Sequence, residues 1–562
     1  MTKKKIQLCL LGFLLIGFLL RTVSISYGLP HPGYFSSDEI DVVARTLTLA
    51  AGDLKPHHFS KPTFMNVVLL AIYGVIYFFG RLLGLIHGRA DFERLFIQNP
   101  TVFYLSARLL SVLAGTATIL LCYTIGRKGR SAAAGLIAAA LMAFCFTSAR
   151  LSHIAKEDVL MVFLEYAVLL WMLRAKNADK AGQGIIAGIL VGLAAATKYN
   201  GILAAVFPLL FIIQGEKTAI FRRVLFLLAG ILIGIIIGVP FFAIHPVQFV
   251  QGVFESAIFR QIKGDARWIG SASYVGPSFF LAMFAREMGW LFLITGLLAI
   301  GFYGKGFFKR GGNPLSKEPR AVLLALLLFV ILNFLTIVIS SHRDYHYGIP
   351  MTPALALITA SFLSDLLSFH KKGFAALLVA ILVLGPCYRI IKWDAETLGT
   401  DTRLQALDWM RDHIPAHAVI AFDSAYYFQY HPPVGLTSET VGVLKAEALA
   451  QGGSGRYFDL LEKYPAPEPH YRAIFLPMPT WADRLRAADV NAYSLESLRE
   501  REAQWLVCSS YYFDRILINE SVSFKPIREF YERLQREWKP AARFEPVPWR
   551  NAGPILLVYE LK

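Results

Sequence analysis

The run VLFLLAGILIGIIIGVPFF fills residues 224–242 without a single charged side chain, and Lys217, Arg222 and Arg223 stand just before it. A bilayer core is about 30 Å thick and takes about 20 apolar helical residues to cross, so this run reads as a membrane span with a basic cytoplasmic flank. Comparable runs of about 17–25 apolar residues recur from the N-terminus to about residue 391. The 562-residue chain is 55% hydrophobic and only 17% charged, and its mean hydropathy is +0.49. An average soluble domain carries about 25% charged residues, so the composition is that of a polytopic α-helical membrane protein. Past residue 391 the texture turns mixed, charged and aromatic. The main boundary therefore separates a transmembrane part, 1–391, from a C-terminal part, 392–562.

The basic residues orient the spans. Net charge is +16. In a soluble protein that excess would suggest nucleic acid; here it gathers in short loops between apolar runs, which indicates topology and gives no reason to expect a nucleic-acid partner. Lys3 to Lys5 precede an apolar run with no small-residue cleavage site, so the first segment reads as an uncleaved span with its N-terminus inside. Arg127, Lys128 and Arg130, then Arg174, Lys176 and Lys180, then the 217–223 cluster, Lys305 to Arg320, and Lys371 and Lys372 all fall inside if there are about eleven spans. These lie near 6–28, 102–126, 131–149, 158–173, 184–197, 201–214, 224–242, 281–303, 321–340, 349–368 and 373–391. The first outer loop is then 29–100, and its apolar segment 63–87 is expected to be interfacial or re-entrant. An odd count puts 392–562 outside the cytoplasmic membrane.

The C-terminal part reads as a small α/β domain. Thr402 to His413 has helical apolar spacing and stops before Pro415. Residues 418–422, 473–476, 505–508 and 555–559 read as strands. The five cysteines form no readable disulfide framework and no CxxC metal pattern. There is no P-loop and no dinucleotide fingerprint, so ATP-driven transport finds no support. No internal repeat suggests a two-halved transporter.

The loops assigned to the outside hold an unusual share of ionisable residues. The first contains Asp38, Glu39, Asp41, His57, His58 and Lys61; the second contains Arg150, His153, Lys156, Glu157 and Asp158. Lys198 lies between two spans, Arg108 lies inside one, and 341–347 reads Ser-His-Arg-Asp-Tyr-His-Tyr. Ionisable groups at membrane depth are costly and default to functional candidates. Plainer roles exist for each. Ser36 with Glu39 fits a helix capping box, Asp38 suits a first helical turn, and Glu157 with Asp158 could cap another helix. Lys198 could snorkel, Lys61-Pro62 could be a turn, and His57-His58 could be a solvated pair.

The order Phe35-x-x-Asp38-Glu39, Lys61-Pro62, Ala107-Arg108-Leu109-Leu110-Ser111, Lys156-Glu157-Asp158-x-x-Met161 and Gly192-Leu193-x-x-x-Thr197-Lys198 resembles the protein O-mannosyltransferase and aminoarabinose transferase superfamily. Arg343-x-Tyr345 and Asp401-Thr402-Arg403 extend the resemblance, which covers most of 30–420. The chain departs from the family pattern at Thr63, where a second proline is common, and in the insertion of Asp344 between Arg343 and Tyr345. The resemblance implies a GT-C-like glycosyltransferase that uses a polyprenyl-phosphate sugar donor and inverts the transferred sugar. It implies Asp38 as the base, with Glu39 and Asp158 in the catalytic set. Lys61, Arg108, Lys198 and Arg343 would hold the donor phosphate, and Glu157 and Tyr345 would stand by the acceptor, which is a glycan, lipid or protein hydroxyl. No cofactor is required; a divalent metal is compatible with the class, since some members use one. Two other classes fit the same cations: a carrier or flippase for polyprenyl-linked glycans, which needs no base, and a non-catalytic envelope scaffold.

Overall fold

The computed structural model describes residues 2–31, 35–54, 61–175, 181–213, 217–259, 262, 282–285, 288–308, 317–340, 345–369, 372–423, 430–450, 453–466, 469–477, 490–518 and 524–561. The chain opens with α1 (Lys3–Thr22), α2 (Ser37–Ala50), α3 (Phe64–Leu82), α4 (Arg89–Gln98) and α5 (Thr101–Gly129). Next come α6 (Ala132–Ala143), α7 (Phe146–Ser152), α8 (Glu157–Arg174), α9 (Ala181–Thr197), α10 (Val206–Ile213) and α11 (Ile220–Gly238). The last bundle helices are α12 (Trp290–Phe308), α13 (Lys317–Ile339), α14 (Met351–Phe369) and α15 (Lys372–Leu398).

Among the described residues, six helices are long and apolar enough to cross a membrane, or seven if the bent pair α6 and α7 is one span. The other expected spans fall on helices that are shorter, such as 182–197 and 351–367, or that carry more charge, such as α8. Segment 63–87, expected at the interface, forms α3, which has the length and apolarity of a span. It is tied to two bundle helices. Thr63 Oγ1 donates to the Gly238 carbonyl (2.9 Å) at the end of α11, and Tyr73 OH donates to the Phe103 carbonyl (3.1 Å) in the first turn of α5.

Small residues shape the bundle. The ten positions from Ala134 to Ala143 in α6 are all buried, five of them alanine, which lets α1, α5 and α14 close around that helix. Between α6 and α7 the path bends by 55°. A helix end leaves carbonyls without intrahelical donors. Arg21, fully buried at the end of α1, donates to the Met142 and Ala143 carbonyls (2.9 and 3.2 Å) and to Ser148 Oγ (3.0 Å) across that break. Helices α9 and α11 pack in parallel with a constant offset: Gly188 meets Gly230, Gly192 meets Gly234 and Ala196 meets Gly238. A Cβ on Gly188 would run into the Leu227 carbonyl, and one on Gly230 into the Ile185 carbonyl. Small residues every fourth position permit this backbone-to-backbone approach.

The C-terminal part opens with α16 (Thr402–His413), whose N-cap Asp401 accepts from the Arg403 amide (2.9 Å). It builds a six-stranded sheet from β1 (Val419–Phe422), β2 (Gly435–Leu436), β3 (His470–Phe475), β4 (Trp505–Ser509), β5 (Ala542–Phe544) and β6 (Leu556–Glu560), in the order β2-β3-β1-β4-β6-β5. Strands β2, β3, β1 and β4 are parallel, while β6 and β5 add antiparallel at one edge. The four expected strands coincide with β1, β3, β4 and β6. Helices α17 (Ser438–Ala450), α18 (Arg456–Lys463), α19 (Ser510–Ile518) and α20 (Lys525–Glu537) accompany the sheet. Tyr27 OH donates to Asp401 Oδ2 (2.7 Å), the Arg403 guanidinium lies 4.2 Å from the Phe35 ring centre, and Lys463 pairs with Glu93 (3.3 Å). The sheet is thereby docked onto the loops and helices between α1 and α5.

Candidate active site

At the sheet-side end of the bundle, charged side chains from four separate stretches meet. Helix α2 begins at Ser37, yet its N-cap Ser36 makes no side-chain cap, so the capping box that the spacing allows does not form. Both acids of the pair point away from the helix end. Glu39 is fully buried and takes a bidentate contact from Arg108, through Nε to Oε1 and Nη2 to Oε2, each at 2.7 Å. Its Oε1 also accepts from the Ala155 amide (2.7 Å), the residue before Lys156. A buried carboxylate needs this full satisfaction, since an unpaired buried charge costs several kcal/mol. Glu39 therefore fixes α2 against the turn that leads into α8.

Arg108, expected to hold the donor phosphate, is surrounded by protein partners. Its third nitrogen, Nη1, donates to the Ile25 and Tyr27 carbonyls (2.7 and 2.8 Å), and the side chain is 2% exposed. Every guanidinium nitrogen is engaged inside the protein. The charge that made Arg108 a phosphate candidate is the charge that neutralises Glu39.

Asp38 faces the other way. Its carboxylate receives Lys61 Nζ at 2.8 Å and Lys156 Nζ at 2.7 Å, and the side chain is 38% exposed. Lys61 also reaches Asp41 (3.3 Å). Lys156 lies 3.9 Å from Asp158 Oδ2 and donates to His346 Nε2 (3.2 Å) from the short turn Tyr345–Gly348. Asp158, in the first turn of α8 and 1% exposed, accepts from Lys198 Nζ at 2.7 Å. Lys198 in turn sits 5.3 Å from the Tyr347 ring centre. The result is a ladder of alternating charge: Asp41, Lys61, Asp38, Lys156, Asp158, Lys198. Burial pushes the Asp38 carboxyl up, but Lys156 and Lys61 outweigh it and hold the group well below the usual carboxylate range. Lys61 is held well above the usual lysine value: burial opposes the charge, and Asp38, Glu157 and Asp41 restore it.

The structure thus brings together Asp38, Lys61, Asp158 and Lys198, with Glu157 buried beside them (5% exposed). Glu39 and Arg108 pair with each other instead of joining the ladder. Arg343, His57 and His58 lie outside the described residues, as does the side chain of Tyr345. Three participants were not singled out by sequence: Lys156, His346 and Tyr347. The Lys156-Glu157-Asp158 motif contained the first, and the late loop contained the other two. Among the described residues no three His, Cys, Asp or Glu side chains converge as metal ligands. The ammonium of Lys156 stands between Asp38 and Asp158, so these residues do not fit a divalent ion and no step is routed through one.

Residues 101–244, which carry α5 through α11, match the family model of dolichyl-phosphate-mannose-protein mannosyltransferases. No curated protein matches the chain. Among solved structures, the oligosaccharyltransferase of Archaeoglobus fulgidus in its apo form superposes with a TM-score of 0.53 at 12% identity, over 98% of this chain and 75% of that one. ArnT from Cupriavidus metallidurans in the apo state gives 0.52 at 14%, over 99% and 98% of the two chains. The same enzyme with undecaprenyl phosphate bound gives 0.50 at 15%, over 99% and 98%. The motif resemblance to the mannosyltransferase and ArnT-like superfamily is thus met by a family model across the centre of the chain, and nearly all of the chain shares the fold of these solved structures.

Proposed function

We propose that the chain is an integral membrane glycosyltransferase. It moves a sugar from a polyprenyl-phosphate carrier to an acceptor hydroxyl on the outer side of the cytoplasmic membrane, with inversion. The observation that supports this most is the exposed Asp38 carboxylate held between Lys61 and Lys156, with Lys198 close by on Asp158. An acid that accepts a proton and cations that accept a phosphate are the two requirements of the reaction, and they adjoin here. The fold neighbour solved with undecaprenyl phosphate supports the donor class.

In this reading the chain crosses the membrane eleven times, with α6 and α7 as one broken pass and α3 lying at the outer surface, and residues 392–562 stand outside. The donor phosphate, a diester with one negative charge, enters against Lys61, Lys156 and Lys198, with Arg343 as a further cation. It competes with Asp38 for the two lysines that pair with that carboxylate. The acceptor oxygen then attacks the anomeric carbon from the face opposite the phosphate, and Asp38 takes the hydroxyl proton. The bond between the anomeric carbon and the phosphate oxygen breaks. The polyprenyl phosphate leaves with that electron pair, and the lysines receive the added charge. Asp158 holds Lys198 in place, Glu39 positions Asp38 through α2, and Glu157 and Tyr345 stand toward the acceptor.

A nanodisc assay with a panel of polyprenyl-phosphate sugars and envelope fractions as acceptor tests the reading. Transfer of labelled sugar to a lipid, glycan or protein, dependent on this chain, is the expected result. Lipid binding or movement across the bilayer with the carrier–sugar bond intact would make the chain a carrier instead.

A further inference from the structure

A cavity of about 370 Å³ lies on the far half of α2, between α3, α4 and the sheet-bearing part. Its walls include Leu47 and Ala50 from α2, Gly74 and Tyr77 from α3, Phe96 from α4 and Leu460 from α18. It begins near Ala44, about 9 Å along the helix from Asp38 at about 1.5 Å per residue, so it is separate from the charged ladder. The lining is aliphatic and aromatic. The rim is not: Arg89 (3.0 Å) and Arg456 (3.8 Å) on it, and Lys463 (3.3 Å) beyond it, all pair with the one carboxylate of Glu93. Three cations against one anion leave a positive surplus beside an apolar hollow. Ligand sites of this volume are usually apolar with a few placed polar groups.

We propose that this cavity binds an anionic amphiphile, with its alkyl chain between α2, α3 and α18 and its phosphate-type head among Arg89, Arg456 and Lys463. An uncharged chain would leave the surplus cations uncompensated, and a free phosphate would leave the hollow empty. Because α18 and α4 both supply walls, such a ligand also touches the sheet-bearing part and the first outer helices together.

The test uses the purified full-length chain in detergent and a dodecyl phosphate probe with a photoreactive diazirine at the chain end, mapped by mass spectrometry. Crosslinks are expected within 44–51, 70–77, 92–96 and 457–460. Gly74→Trp should remove them at least tenfold, because a side chain there enters open space and collides with nothing within 4 Å. Arg456→Gln combined with Lys463→Gln should weaken them about tenfold, the usual scale for charge-assisted contacts to phosphate. Lys61→Ala with Lys198→Ala should leave them unchanged, which separates this site from donor binding and from the proposed reaction. Excess inorganic phosphate should not compete. Absence of crosslinks from these segments, their persistence in Gly74→Trp, or equal labelling by a neutral dodecanol probe would each overturn the proposal.

Discussion

Glu39 and Arg108 show how much a single charge can hide about its role. The two lie 69 residues apart in sequence and form a buried bidentate pair whose remaining donors hold the Ile25 and Tyr27 carbonyls. Removing one member of such a pair typically costs about 3–5 kcal/mol. Arg108→Ala should therefore lose stability on that scale in thermal denaturation, and Arg108→Lys should recover only part of it, since lysine cannot make the fork. An Arg108→Ala protein of normal stability with weakened donor binding would restore the phosphate role. Asp38 carries a pH prediction. Its folded-state value is depressed, so its ion pairs contribute stability in full above the ordinary aspartate pKa of about 3.9. That contribution is lost as pH falls through the lower folded-state value. Because the donor phosphate draws Lys61 and Lys156 away, the acid limb of kcat, which reports the donor complex, should lie at higher pH than the acid limb of kcat/KM for donor. Coincident limbs would contradict the exchange. The short, ordered motifs of Asp38, Lys61, Asp158 and Lys198 made their convergence on one cluster legible. The pairing of Arg108 with Glu39 and the place of Lys156 were not, because a sequence gives the sign of a charge and not the partner that neutralises it.

At the scale of elements, hydropathy located most of the bundle but not its joints. The break between α6 and α7 depends on Arg21, supplied from α1 more than a hundred residues earlier, and no local signal in 132–152 announces it. Likewise α3 has the apolarity of a span, and its ties to Gly238 and Phe103 join stretches that apolarity alone does not pair. The glycine stripe of α9 and α11 is visible in sequence as small residues at every fourth position, but the pairing of the two helices is not, since α10 lies between them in the chain. Gly188→Leu should drive a side chain into the Leu227 carbonyl and part the two helices. We expect a loss of about 3 kcal/mol, the upper part of the range for overpacking, seen as a lowered unfolding temperature or failure to accumulate in membranes. Gly182→Leu is the control, since nothing lies within 4 Å of its Cβ position; equal behaviour of the two would refute the packing argument.

The whole molecule joins a membrane bundle to a sheet over one charged end, and the sheet order is the part least accessible to sequence. Four strands were recognisable by their apolar runs, while the two-residue β2 and three-residue β5 are too short to signal themselves. The docking contacts, Tyr27 with Asp401 and Lys463 with Glu93, set the sheet on the same side as Asp38. If the proposed topology holds, Val443→Cys, 55% exposed on α17, should react with a membrane-impermeant maleimide in spheroplasts with an intact inner membrane. Reaction only after that membrane is permeabilised would reverse the orientation.

The central claim is that Asp38 takes the acceptor's proton while the lysines around it hold the donor phosphate. Asn keeps the shape of Asp, removes the basic oxygen, and no longer competes with phosphate for Lys61 and Lys156. Purified Asp38→Asn and wild-type protein should be compared for single-turnover sugar transfer and for donor binding in the same preparation. The account predicts transfer lower by about 100-fold or more, the usual scale for losing a general base, with donor affinity equal to or tighter than wild type. Transfer near the wild-type rate would contradict it.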